Sequence, residues 1–129
     1  MDLPRYFVVG MRPVKFVATP SGGMAVLQMN WDTGVFEYGM EYLSRALSNS
    51  PEVDVLSEDE FIRNVEALRG RLGNADGPIQ ALYDVINATE DIAKQEGRRL
   101  SDEEKALIAA LRRKTYELFE AAHPYQFQP

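Results

Sequence analysis

The hydrophobic period of this chain changes once, near residue 40, from two residues to 3.6. A period of two belongs to strands and a period of 3.6 to helices. A single change therefore predicts a sheet built first and helices built after it, an α+β arrangement. The 129 residues suffice for one such domain and not for two ordinary ones. The expected division of 1–129 is a β-meander over about 5–38, a helical part over about 40–122, and an aromatic tail at 123–129.

The meander is read from its turns. Val14–Thr19 and Met24–Asn30 are strands separated by Pro20-Ser21-Gly22-Gly23. If Thr19 pairs with Met24, then Val14, Phe16 and Ala18 share an apolar face with Ala25, Leu27 and Met29, while Lys15 and Gln28 lie opposite. A second turn at Asp32-Thr33-Gly34 precedes Val35-Phe36-Glu37-Tyr38. A four-residue loop from Trp31 would put Phe36 and Tyr38 on the apolar face, and a three-residue loop with a glycine bulge is the other option. Tyr6–Val9 either adds an outer strand or extends the first around Arg12-Pro13. Pro13 favours an edge position, because proline has no N–H to give a central ladder. Three or four strands result.

Four helices are predicted to follow. Met40, Leu43 and Leu47 mark a short one before Asn49-Ser50-Pro51, and Val53 and Val55 form a brief extended stretch. Ser57 with Glu60 makes a capping box, Leu56 and Phe61 a hydrophobic staple, and Phe61, Ile62, Val65, Leu68 and Leu72 a buried stripe that stops at Gly70 and Gly73. Pro78 opens the third helix, whose stripe runs through Ile79, Leu82, Val85, Ile86, Ile92 and Ala93 to Gly97. Ser101 with Glu104 caps the fourth, which carries Leu107, Ile108, Leu111, Leu118 and Phe119 and ends before Pro124. The short link between these two makes a long antiparallel αα-hairpin.

Composition narrows function more than it specifies it. With no cysteine there is no disulfide, no thiolate nucleophile and no thiolate-bound metal. With one histidine, His123, imidazole-based catalysis has a single candidate. The formal net charge is −6, and residues 1–50 balance at four basic and four acidic groups. The helical half thus holds the remaining ten basic and sixteen acidic residues, which disfavours nucleic acid as a ligand. No stretch approaches the ~20 apolar residues of a membrane span. The opening residues lack a secretory pattern, so a cytoplasmic location is expected.

The clusters that could carry chemistry have simpler explanations. Glu58-Asp59-Glu60 and Asp102-Glu103-Glu104 occupy first helical turns, where acids suit the dipole. Glu120 and His123 have the Glu-x-x-His spacing of bundle metal sites, but that unit occurs once where such sites use it twice. Gly22-Gly23 and Gly70-x-x-Gly73 lack the Lys-Ser/Thr successor of a phosphate loop. No catalytic, metal or cofactor residue is assigned, and no cofactor is expected.

Interface candidates remain. Trp31 stands beside a turn, and Arg112-Arg113-Lys114 interrupts the last helix. Tyr125 and Phe127 alternate within a proline-bounded tail. That tail either folds over its own core or docks on a second copy as an added strand. The candidate interface residues are Trp31, Tyr125, Phe127, Arg112 and Arg113. The expected function is non-catalytic protein–protein interaction, with a second copy of the chain as partner. The alternative is a small acidic regulator that covers a basic surface on another protein. Behind both stands an enzyme or small-ligand protein with a pocket between the sheet face and the helices.

Overall fold

A computed structural model describes residues 1–128. Five antiparallel strands come in the spatial order β4-β3-β2-β1-β5. They are β1 (Arg5–Val9), β2 (Arg12–Ala18), β3 (Met24–Met29), β4 (Phe36–Tyr38) and β5 (Val53–Leu56). The helices are α1 (Tyr42–Ala46), α2 (Glu58–Leu72), α3 (Gly77–Gln95) and α4 (Asp102–Ala122). The α+β order of sheet then helices is as the sequence predicts. The extended stretch at Val53 joins the sheet as its fifth strand, antiparallel to β1.

The register of the first hairpin differs from expectation. Ala18, not Thr19, pairs with Met24, and Lys15 faces Leu27. The cause is the turn: the Thr19 amide donates to Gly23 O at 2.9 Å, and Gly22 takes φ +88°. A three-residue loop, Pro20-Ser21-Gly22, thus replaces the four-residue one. The one-residue slip exchanges every side chain of β3 between faces relative to β2. Lys15 and Gln28 consequently lie on opposite faces. Both registers bury apolar residues, because both faces of this sheet are covered, not one. On one face Phe7, Val9, Val14, Phe16 and Val26 pack under Tyr42, Leu43 and Ala46, as the chain crosses from β4 at one edge to β5 at the other. On the other, Leu27, Met29 and Phe36 pack under Phe61 and Val65 of α2, with Tyr116 and Tyr125 beside them.

Pro13 sits in the central strand, not at an edge. It pairs with Val8 on the β1 side, and one further rung of the β2–β3 register would set it opposite Met29. The Met29 carbonyl accepts from Arg12 at 2.6 Å instead, so a side chain supplies the donor that proline lacks. The four-residue loop from Trp31 is the one adopted. Asn30 and Val35 close it, and Phe36 and Tyr38 pair with Met29 and Leu27.

Both capping boxes form. Ser57 Oγ accepts from Glu60 N and Ser101 Oγ from Glu104 N, and each glutamate returns a bond to its cap amide. Arg98 and the Ser101 amide hold the Glu104 carboxyl down at about 2, so this cap persists in mild acid. Gly70 does not end α2; it lies inside it, under the Tyr83 ring, and Gly73 is the left-handed cap. The hairpin arms α3 and α4 have 19 and 21 residues, about 30 Å each. α4 packs on both α2 and α3, and its C-terminal half brings Tyr116 and Glu120 to Lys15 of β2.

Candidate interface and the buried polar network

Five candidate interface residues fall in four settings. Trp31 is partly exposed, 38%, with the Arg12 guanidinium 5.2 Å from its ring. Arg112 turns to Glu90 of α3 at 3.5 Å. Arg113 turns the other way, to Glu58 and Asp59 at the start of α2. Both arginines therefore tie helices together within the chain. Tyr125 packs against the core beneath α2, and the half-buried Phe127 ring meets it edge-on, centroids 6.2 Å apart. The tail thus folds over its own core; its last residue, Pro129, lies outside the described residues.

Tyr125 leads to a cluster that sequence reading did not anticipate. Lys15, on the face of β2 that α2 covers, is 2% exposed. Its ammonium donates to Tyr116 Oη at 2.9 Å and also meets Glu120 and the Tyr125 hydroxyl. Glu120 Oε1 accepts from Tyr125 at 2.5 Å, and Oε2 accepts from Arg69 at 2.7 Å. Arg69, 1% exposed, donates onward to Glu66 at 2.9 Å and to the Gly34 carbonyl at 2.9 Å. Glu66 Oε1 accepts from Tyr83 at 2.7 Å and Thr115 at 2.6 Å. Two cations and two carboxylates thus share one buried chain of bonds linking β2, α2, α3, α4 and the tail. Among the described residues no buried side-chain polar atom lacks a partner.

The electrostatics follow from burial and neighbours. Burial alone would raise Glu120, but Lys15 and Arg69 beside it hold its carboxyl below the ordinary range. Burial lowers the Lys15 ammonium against the pull of Glu120, a carboxylate it must share with Arg69. Burial also opposes the Arg69 charge, and Glu120 and Glu66 outweigh it. Burial, with carboxylates alongside, pushes Tyr83, Tyr116 and Tyr125 above the ordinary phenol range. At the network's edge, burial and Glu58 take Tyr6 up to about 12.

Chemically, these groups are spent on one another. All four carboxylate oxygens already accept from the protein, and a polar cavity of about 180 Å³ that reaches Glu66 and Tyr83 meets oxygens already bonded. Glu120 is committed to Lys15 and Arg69, so the Glu120-x-x-His123 spacing does not converge on a metal. The His123 ring packs on Phe119 at 4.5 Å instead. Among the described residues no group of three or more His, Asp or Glu is arranged to hold a metal ion. A signal for the network does exist in the sequence. Glu66 and Arg69 occupy core-spaced positions of the α2 stripe, and Tyr116 and Glu120 stand four apart on α4.

Gly34 is the backbone element of this network. It has φ +75°, and a Cβ there would stand 3.0 Å from Arg69 Cγ and 3.3 Å from Leu72 Cδ1. Gly34→Ala is expected to cost about 2–3 kcal/mol, combining left-handed strain with displacement of Arg69. Gly22→Ala has the same strain and open space, and should cost about 1 kcal/mol. Thermal melts of the two variants separate these contributions; equal costs would show that Arg69 yields freely.

The surface offers two further features. A cleft of about 550 Å³ runs between the start of α2 and α4, floored by Ile62, Leu100, Ile108 and Ala109 and rimmed by charges of both signs. On the hairpin's outer side, Val85, Ile92 and Leu107 are 48%, 51% and 50% exposed. No helix among the described residues is long and apolar enough to cross a membrane. Comparison of the chain with known protein families, with characterised proteins and with solved structures finds no match.

Proposed function

We propose that this chain is a protein–protein interaction domain that self-associates through the outer face of the α3–α4 hairpin. One observation carries the reading. Ala81, Val85, Ala88 and Ile92 recur at spacings of four, three and four along α3, and all are exposed. Such spacing makes one continuous helical stripe, and the charged residues of α3 (Asp84, Glu90, Asp91 and Lys94) fall outside it. Leu107 and Ala110 extend the apolar surface onto α4. The apolar arc of α3 is thus wider than its own domain covers. Tyr83 and Ile86 face inward while Val85 and Ile92 are left to water.

A second copy is the occupant that fits. The face is uncharged at its centre, and its α4 rim carries an acid, Glu103, and a base, Lys114, so it complements itself. Small alanines between larger aliphatics let helices approach closely, as helix-bundle packing requires.

Light scattering at low and high salt tests this. A dimer is expected at both, because apolar burial survives screening. Ile92→Glu should weaken it by at least about tenfold, a single charge buried without a partner. Its circular dichroism should be unchanged, since Ile92 is half exposed in the single chain. A monomer at high micromolar concentration would end the reading. Salt-sensitive capture of a basic protein by that monomer would favour the acidic-regulator alternative.

A further inference from the structure

Resting on that proposed self-association, we infer that the two hairpins meet antiparallel, about a twofold axis that lies in the contact plane and crosses both helices. The pattern on α4 is symmetric about its own centre. Glu103, Leu107, Ala110 and Lys114 are spaced four, three and four, with opposite charges at the two ends. Reversing one copy about the midpoint of Leu107 and Ala110 sets Leu107 opposite Ala110 of the partner subunit and Glu103 opposite Lys114 of the partner subunit. Both charged side chains are exposed, and neither has an ion-pair partner among the described residues.

The other arm supports the same axis. Tyr83 and Thr115 donate to one oxygen of Glu66, which places them at one height on α3 and α4. Counting from there toward the hairpin tip, the midpoint of Val85 and Ile92 lies about 5.5 residues along α3. The midpoint of Leu107 and Ala110 lies about 6.5 residues along α4, a difference of only ~1.5 Å. One axis therefore also sets Val85 opposite Ile92 of the partner subunit, with the small Ala88 beside the crossing point. A closed twofold of this kind uses the same patch on both subunits, so it makes a dimer and no filament. A parallel pair would instead set α3 against α4 of the partner subunit, and the charges at 103 and 114 would face an uncharged stripe.

Charge reversal and cross-linking test the orientation, with dimer affinity and gel mobility as readouts. Glu103→Lys alone, or Lys114→Glu alone, places like charges together twice per dimer and should weaken it about tenfold at low salt. The double reversal should restore affinity to within about threefold. The chain has no cysteine, so an introduced thiol is the only one present. Ala88→Cys should form a disulfide with its own equivalent. Lys114→Cys should not, since its two copies would stand ~16 Å apart along the helices. A wild-type dimer that ignores both reversals, or that fails to cross-link at position 88, overturns the antiparallel arrangement and leaves self-association standing. A wild-type monomer overturns both.

Discussion

Glu120→Gln is expected to destabilise the protein by about 3–5 kcal/mol at neutral pH, the cost of leaving buried cations without their carboxylate. The substitution keeps the side chain's shape and removes only its charge. Lys15 would lose its sole carboxylate, and Arg69 would keep Glu66 alone. In a domain of this size the melting temperature should fall by about 10 °C or more. Lys15→Met makes the informative contrast. Burial already works against the ammonium, and Glu120 would still be held by Arg69, so a loss below about 2 kcal/mol is expected. Urea titrations of the two variants decide the matter. Equal costs would mean that Lys15, rather than Arg69, is the main counter-charge of Glu120.

The same carboxylate sets an acid limit. Its folded pKa lies below the ordinary value, so the unfolded chain binds more protons in the window between the two. Stability therefore rises with pH across that window, is fully present above the ordinary carboxylate range, and is lost as pH falls to the folded value. Glu120→Gln should flatten this limb of the stability profile, with the remaining acid dependence coming from other carboxylates such as Glu104.

Phe61→Ala is expected to cost about 3–5 kcal/mol, comparable in size but different in origin. Phe61 has no exposed surface, and its ring lies 4.7 Å from Tyr6 of β1 and 5.8 Å from Phe36 of β4. It therefore spans the sheet and fastens the first turn of α2 to it, with Leu56 before the cap as its staple partner. Truncation leaves a cavity bounded by two rigid layers that cannot close it. Phe61→Leu should cost about 1.5 kcal/mol or less, because most of the volume remains. Denaturant midpoints of both variants test this. A cost near 1 kcal/mol for the alanine variant would show that α2 can sink toward the sheet.

Much of the fold was legible in local chemistry, and the losses were specific. Ser57 with Glu60 and Ser101 with Glu104 were readable because a capping box is satisfied within four residues. The hairpin was readable because Gly97 and a short link leave two long helices no other arrangement. The register of β2 on β3 was not. It rests on whether the turn holds three residues or four, and the apolar pattern fits either when both sheet faces are buried. Pro13 misled for a related reason: the donor it lacks comes from the neighbouring Arg12, a compensation that strand rules do not foresee.

The candidate sites divide along the same line. Arg112 and Arg113 stood together as interface candidates, and a helix that turns successive residues by about 100° sends one to Glu90 of α3 and the other to Glu58 and Asp59 of α2. Of the two courses open to the tail, Tyr125 takes the one over its own core, where it closes the Lys15–Glu120 contact. Local sequence by itself determined where the capped helices α2 and α4 begin, and that Gly73 and Pro124 stand just beyond their ends. Those properties depend on groups within one or two turns of each other. Only the tertiary structure decided that Lys15, Arg69 and Glu120 meet, since they lie more than fifty residues apart along the chain. It likewise decided which part of the α3 surface stays in water. Burial is a property of what arrives from elsewhere in the chain, and no periodicity records it.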